Sequence, residues 1–542
     1  MTSQTEIELK FLVPPAARAA LAAEMARGAS TLERRSLVVA YLDTPDRRLA
    51  RAGMSWRLRR EGRRWVQTLE AGGTSALKRF EHEVIRPDAS HDAAGHAGTP
   101  VGDRLLVLLR RAKADGMEVV VRFQTEVRRT ARKVRTRGAV IEVAIDEGRL
   151  VGAGATQRIR EIEFELVSGS VEPMLALAER WRKRFGLIHD PRSKAERGDQ
   201  LAAGSAFPPP RKGTRPTYRD DATAGEAFAA VLDECLAHVT RNAIGLADGD
   251  PALRIEYLHQ VRVGIRRLRS ALRCFQDWVP APPDELVEGM KSLFSTLGKS
   301  RDSDVLGSGV LAELAKVGAP PLKLPASIAG RDPVDFIRAS ETQRTLLAWI
   351  AWRAALTREP SEVVGQRVPD TQADEGHLTA TAVPADIGLS SRGDAATSKE
   401  QAGSKQSPSA CEDASTYRRK LQRRLRRWHG HIVADWNEFD MLDDTRLHAL
   451  RKLIKRQRYA VEFFAPVLRR RKVERYLEAL AAIQERMGEL NDLLVARTMY
   501  QSMTADPAAW FALGWLAARI AAVRSLAKPG LENFAKLDAP TH

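Results

Sequence analysis

The chain has 542 residues, with 86 Lys and Arg against 69 Asp and Glu, so its formal net charge is +17. That length allows three or four domains of about 150 residues each, and a hydrophobic content of 44% excludes wholesale disorder. No run approaches the roughly 18 apolar residues of a membrane-spanning helix, and MTSQTEIELKF lacks the pattern of a secretory signal. Cys235, Cys274 and Cys411 are scattered and odd in number, which excludes a disulfide framework and a cysteine-rich zinc site. The expectation is a cytoplasmic protein with no membrane partner, whose positive excess calls for a polyanion.

Residues 1–200 are strand-rich. Alternating runs include EIELKF, MSWRLRR, RWVQTLE, FEHEVI, VVVRFQTEV, AVIEVAI and IREIEFELV, with helices predicted over 14–27 and 172–185. We divide the chain into 1–203, a Pro-rich linker over 204–217 expected to be semi-rigid and exposed, and a helical region over 218–542. Residues 359–415 are rich in Ser, Thr, Ala, Asp and Gly and read as a flexible insertion within that region. The two folded parts are expected to have separate cores.

In EIELK, Glu6, Glu8 and Lys10 are two apart and share one strand face, with Ile7 and Leu9 on the other. Glu161, Glu163 and Glu165 alternate in the same way with Ile162, Phe164 and Leu166, and Arg57 and Arg59 share a face in WRLR. One alternating charged strand is usually a solvated sheet face. Three, with their signs sorted, point to a lumen. Carboxylates gathered there suit a hard divalent cation such as Mg²⁺ or Mn²⁺, and guanidiniums opposite them suit phosphate oxygens.

The N-terminal ExExK, the RxR, the late ExE and SKAERG (193–198), in that order, resemble the CYTH domain, the triphosphate tunnel metalloenzyme family. The resemblance implies an eight-stranded antiparallel tunnel and metal-dependent hydrolysis of inorganic triphosphate. It makes Glu6, Glu8, Glu163 and Glu165 metal ligands, with Asp146 assisting. Lys10, Arg57, Arg59, Arg129 and Lys194 would hold phosphates, with Glu6, Glu8 and Lys10 as the catalytic set. One position departs from the family: the strand that should end in Lys reads Gln67, Thr68, Leu69, Glu70. The swap changes local charge by two units and sets a binding-only reading beside the enzyme.

The helical region repeats itself. LHQVRVGIRRLRSALRCF (258–275) overlies LHALRKLIKRQRYAVEFF (447–464), and LGKSRDSDV (297–305) overlies MGELNDLLV (487–495). On helices, His259, Arg262, Arg266, Arg269 and Arg273 fall on one face, as do His448, Arg451, Lys455 and Arg458 in the second copy. Arg267 and Arg456 are matched cations of the same repeat. Asp302, Asp304 and Asp492 offer a few ion pairs. This pattern resembles the CHAD domain, which implies two four-helix bundles forming a basic, pseudo-symmetric cavity for inorganic polyphosphate. All eleven cationic residues just named, histidines included, are candidate contacts, and the family is associated with polyphosphate granules in bacteria. Nucleic acid is the disfavoured rival: it explains the charge but not the carboxylate pairs. The overall expectation is an α+β chain, a β tunnel followed by an all-α domain.

Overall fold

The computed structural model describes residues 3–28, 31–72, 77–305, 310–320, 332–356 and 414–541. Apart from residues 414 and 415, the 359–415 insertion lies outside the described residues, as do the side chains of Asp302 and Asp304.

Among the described residues, nine strands form in the first 189: β1 Ser3–Leu12, β2 Glu33–Asp43, β3 Met54–Glu61, β4 Arg64–Gly72, β5 Lys78–Arg86, β6 Val120–Thr136, β7 Ala139–Gly152, β8 Ala155–Gly169 and β9 Ile188–His189. The antiparallel order β5-β4-β3-β2-β6-β7-β8-β1 closes on itself through β5 and β1, giving an eight-stranded barrel. Closure leaves those eight strands without a free edge. Strand alternation then sorts the side chains. Leu9 and Phe11 of β1, with Ile162 and Phe164 of β8, leave the barrel and enter an outer core. Glu6, Glu8 and Lys10 turn inward.

Five helices accompany the barrel: α1 Arg18–Ala26, α2 Arg48–Arg51, α3 Pro100–Ala114, α4 Val171–Phe185 and α5 Lys194–Ala202. α1 and α4 cover the outer core, where Phe11, Phe164 and Trp181 form successive edge-to-face contacts at 5.8 Å. α5 is different, because it closes one end of the lumen. Its Gly198 lies so close to the Phe123 ring that a Cβ there would fall 2.1 Å from a ring carbon, so the motif's glycine is a packing requirement.

The remaining helices are α6 Ala224–Asp248, α7 Arg254–Phe275, α8 Asp284–Val305, α9 Leu311–Lys316, α10 Pro333–Arg338, α11 Ser340–Ala355, α12 Ala414–Asn437, α13 Asp444–Phe463, α14 Arg470–Gln501 and α15 Pro507–Ala535. α6, α7, α8 and α11 pack as one four-helix group, and α12 to α15 as another, with α7 against α13 between them. Phe275 and Phe464, equivalent under the 189-residue repeat, meet at the junction with ring centroids 4.6 Å apart. A pseudo-twofold relation places equivalent residues together in this way.

Three expectations are corrected. The 204–217 segment is no exposed spacer: Arg211 pairs with Glu234 at 2.6 Å, Pro208 accepts from the Tyr257 hydroxyl, and Thr214 accepts from Arg267 at 2.6 Å. It is strapped to the helices because its backbone finds buried partners there. The two parts also share a core, since Leu347 and Ile350 of α11 are buried against β1 and α4. Each such side chain contributes roughly 1.5–3 kcal/mol when fully buried. Finally, α15 is long and apolar enough to cross a membrane by length and composition, with a mean hydropathy of 1.2 over 18 residues, of which 28% are buried. Its Ala content outweighs Arg519 and Arg524, while Leu516, Val523, Leu531 and Phe534 seat it in the second bundle.

Candidate functional site

The barrel brings all the expected tunnel residues into one lumen, where they divide into three groups. At the β1–β8 seam, Glu8 stands directly across from Glu165 and Lys10 across from Glu163. Directly opposed like charges destabilise a sheet. Arg79 of β5 answers Glu8 with an ion pair, yet the seam stays crowded. Burial, followed by repulsion from Glu8, Glu81 and Glu165, pushes Glu6 up to about 9. Burial and repulsion from Glu142, Glu81, Glu163 and Glu8 push Glu165 up to about 7.

The second group is already neutralised. Asp146, Glu161 and Glu163 each bring an oxygen within 4.8 Å of the others. Lys194 Nζ, from the first turn of α5, lies 2.7 Å from Asp146, 2.5 Å from Glu161 and 2.8 Å from Glu163. Arg129 donates to both Asp146 oxygens at 2.8 and 2.7 Å and also pairs with Glu163, while Arg197 pairs with Glu161. Burial alone would raise these acids; Lys194 and Arg129, with Lys10 added at Glu163, hold Glu163 well below the carboxylate range and lower Asp146.

The third group is a guanidinium wall. Arg57 lies 2.6 Å from Glu70 and 3.1 Å from Glu81, two carboxylates that face each other across β4 and β5. Arg59 pairs with Glu83 at 2.6 Å and Glu61 at 2.8 Å, and donates to Thr68 Oγ1 at 3.1 Å. A cavity of about 750 Å³ opens beside this wall, at the α5 end of the barrel, and reaches Tyr41, Glu70 and Arg79.

The two acidic groups differ in their fitness for a divalent cation. Lys194 already fills the centre of the Asp146, Glu161, Glu163 group. Glu6, Glu8 and Glu165 lie on the neighbouring strands β1 and β8 and offer oxygen donors of the kind a hard ion takes, but among the described residues only the Asp146, Glu161, Glu163 group gathers three carboxylate oxygens within 4.8 Å of one another.

On the helices, Arg262, Arg266 and Arg269 place their guanidinium carbons 5.2, 5.9 and 5.5 Å from the centre of the Phe294 ring of α8. His259 is half-buried on the same helix, and Arg273 is exposed beyond them. The faces of the two repeats converge: burial, then Arg266 and Arg451, push Lys455 down to about 7 against the opposing pull of Asp492. Burial and Arg266 also lower Arg451, again against Asp492. His448 Nδ1 meets Asn491 Oδ1 at 3.0 Å beside a smaller cavity, of about 140 Å³, that Arg451 also lines.

The matched pair Arg267 and Arg456 is placed elsewhere. Arg267 is buried on Glu462 at 2.8 Å, an acid that Arg458 shares at 2.9 Å, and Arg456 lies over Trp428 at 5.6 Å. Both guanidiniums are spent on the protein's interior. Sequence reasoning also passed over Glu81, Glu83 and Arg197, and it saw Glu161 in the alternation without giving it a role. The R-F-E-H-E alternation from Arg79 to Glu83 carried a signal equal to that of ExExK, and it puts Arg79 inside while Lys78 is exposed. Nothing in the local sequence aims Arg197 at β8.

A charged tunnel followed by paired basic bundles defines the class. The CHAD domain family matches residues 230–501, half of the chain, and the CYTH domain family matches 4–198. The chain belongs to the CHAD family and carries a CYTH domain ahead of that region. An inorganic triphosphatase of Haemophilus influenzae is 30% identical over 200 residues, covering 36% of this chain and 55% of the relative. The chain thus spans about half the length of that curated relative. Among solved structures, the CHAD domain of the plant Ricinus communis is 28% identical, covering 61% of this chain and 98% of its own, with a TM-score of 0.41. A Hippeastrum adenylyl cyclase candidate, described as having a dominant triphosphatase activity, is 19% identical over 38% of this chain and 98% of its own, with a TM-score of 0.27.

Proposed function

We propose that the chain hydrolyses inorganic triphosphate in its tunnel with Mg²⁺ or Mn²⁺ and binds inorganic polyphosphate along its basic helices, as a cytoplasmic protein of polyphosphate granules. The observation that carries the enzymatic half is the meeting of Glu8 and Glu165, with Glu6 beside them, at the β1–β8 seam of the lumen that also holds Arg57, Arg59 and Arg129. The Haemophilus influenzae relative supports the same reaction. Glu6, Glu8 and Glu165 would hold the divalent ion, which when bound supplies Lewis-acid stabilisation of phosphate charge. The chain's own residues do the rest. Arg59 and Arg129 would offer guanidinium forks to phosphate oxygens on exchanging their present carboxylate partners, Glu83 and Glu61 for Arg59 and Asp146 and Glu163 for Arg129, and Lys10 adds a buried point charge beside Glu163. α5 closes one end of the lumen and limits water there. Convergence of Arg266 on Arg451 and Lys455 supports the polyphosphate half, because cations crowded together favour a polyanion between them.

A second reading has its own observation. Glu70 engages Arg57 at 2.6 Å and withdraws a cation from substrate, which favours a protein that binds phosphate chains without turnover. Phosphate release from triphosphate, with metal and with chelator, separates the two. Competitive titration of the full chain with polyphosphate and double-stranded DNA at equal phosphate tests the helical half, and equal displacement by DNA would count against it.

A further inference from the structure

We propose that Arg241, a residue of the helical domain, is a positioning residue for the tunnel, acting through α5 on Lys194. The kinetic part rests on the triphosphatase reading above; the geometric part stands without it.

α5 has nine residues and opens with a capping box: Ser193 Oγ accepts from the Glu196 N–H at 3.0 Å, and Glu196 accepts from the Ser193 N–H at 3.0 Å. Its inner flank enters the lumen, with Lys194 among three carboxylates, Arg197 on Glu161 and Gly198 against Phe123. Its outer flank meets no solid core. Glu196, Asp199 and Gln200 line the cavity of about 750 Å³ between the barrel, the 204–217 segment and α6. A helix this short is marginal alone, and an open cavity behind it leaves room to shift. Leu201, with Ala195 and Ala202, packs its inner flank on Phe123 and Leu150, and ion pairs fix its outer flank. Arg47 of the barrel donates to Asp199 at 3.0 and 2.5 Å, and Arg241 of α6 donates to Glu196 at 2.5 and 3.2 Å. Glu196 is therefore both the cap of α5 and the handle by which the helical domain holds it, two residues from Lys194.

A second link joins the same helix to the other tunnel lysine. The Asp190 N–H donates to the Lys10 carbonyl at 3.0 Å, Arg192 grips Asp190 with two bonds of 2.8 Å, and Arg192 also reaches Asp248, the last residue of α6, at 3.1 Å. α6 thus holds both Lys194 and the backbone of Lys10. The two tunnel lysines are tied from outside the lumen to one helix of the helical domain.

The test uses the full chain with Arg241→Gln, Arg241→Lys and, as a control at the same interface, Ser340→Ala, which loses an Arg182 contact of 3.3 Å remote from α5. Readouts are amide exchange over residues 194–202 and kcat and KM for triphosphate. Arg241→Gln should speed exchange by roughly threefold to fivefold and lower kcat by a similar factor, with KM changed by less than about twofold. Arg241→Lys should restore most of both, and Ser340→Ala should leave both unchanged. Unchanged exchange, faster exchange without loss of kcat, or equal losses in the Gln and Lys variants would each overturn the proposal. Faster exchange in a chain that hydrolyses no triphosphate would uphold the positioning and overturn the hydrolase reading alone.

Discussion

Glu70 of β4 holds the Arg57 guanidinium of β3 at 2.6 Å, and Glu81, facing Glu70 on β5, takes the same group at 3.1 Å. A cation expected to meet phosphate is thus bound to two carboxylates. Glu70→Lys frees Arg57 from one of its two carboxylates, leaving Glu81, and alters local charge by two units. Removing that repulsion is worth roughly 1 kcal/mol or more at partly exposed separations. The substitution should lower KM for triphosphate by roughly fivefold or raise kcat, as steady-state kinetics would show. Loss of both would mean that Glu70 has an adapted role.

Lys194 is the centre of a buried charge cluster, and Lys194→Met leaves Asp146, Glu161 and Glu163 to Arg129 and Arg197. Breaking such a cluster costs roughly 3–5 kcal/mol, measurable as a fall in the urea midpoint at pH 7. Glu163 and Asp146 lie below their ordinary range, so their contribution is present above that range and is lost as pH falls through the folded values. The Lys194→Met deficit should therefore be full above about pH 4.5 and shrink only as the pH falls below it. A deficit that is constant with pH would contradict the electrostatic origin.

Glu6 shows the opposite sign. Its folded value of about 9 lies above the usual 4.5, so stability is full below 4.5 and is lost as pH rises towards 9. Glu6→Gln should raise the melting midpoint at pH 8 by roughly 2–4 °C and leave it unchanged near pH 4. Mg²⁺ or Mn²⁺ should stabilise the wild type more than this variant. Equal stabilisation would remove Glu6 from the metal site.

On the proposed polyphosphate reading, Lys455 should make binding sensitive to pH. Free, it is held at about 7 by burial, Arg266 and Arg451; a bound polyanion restores its proton. Affinity should be full below pH 7 and fall by up to about tenfold per unit above it. Titrations at pH 6.5, 7.5 and 8.5 at fixed salt measure this, and Lys455→Met should flatten the profile. An unchanged profile in that variant would place the sensitivity elsewhere.

The parts legible in the sequence were those with a period. ExExK, RxR and the late ExE alternate by two and fall where a barrel needs them, and the His–Arg–Lys register repeats on α7 and α13. β2 escaped notice because its buried half, from Val39 to Asp43, is nearly continuous rather than alternating. α3 escaped although Thr99 caps it and Pro100 opens it, signals that a helix search could use. Relations between distant segments were not legible. Arg197 on Glu161, Arg267 on Glu462 and Arg241 on Glu196 join segments 36, 195 and 45 residues apart. Spacing within one segment carries no information on such pairs. The shared core through Leu347 and Ile350 was hidden for the same reason.

The most direct measurement is phosphate release from inorganic triphosphate by the full chain with Mg²⁺ or Mn²⁺, compared between wild type and Glu8→Gln. Glu8 opposes Glu165 in the lumen, where its carboxylate pairs with Arg79. The account predicts metal-dependent release by the wild type, abolished by chelator and reduced at least a hundredfold by Glu8→Gln, with polyphosphate binding unchanged. Equal release by both proteins, or none by the wild type with either metal, would contradict it.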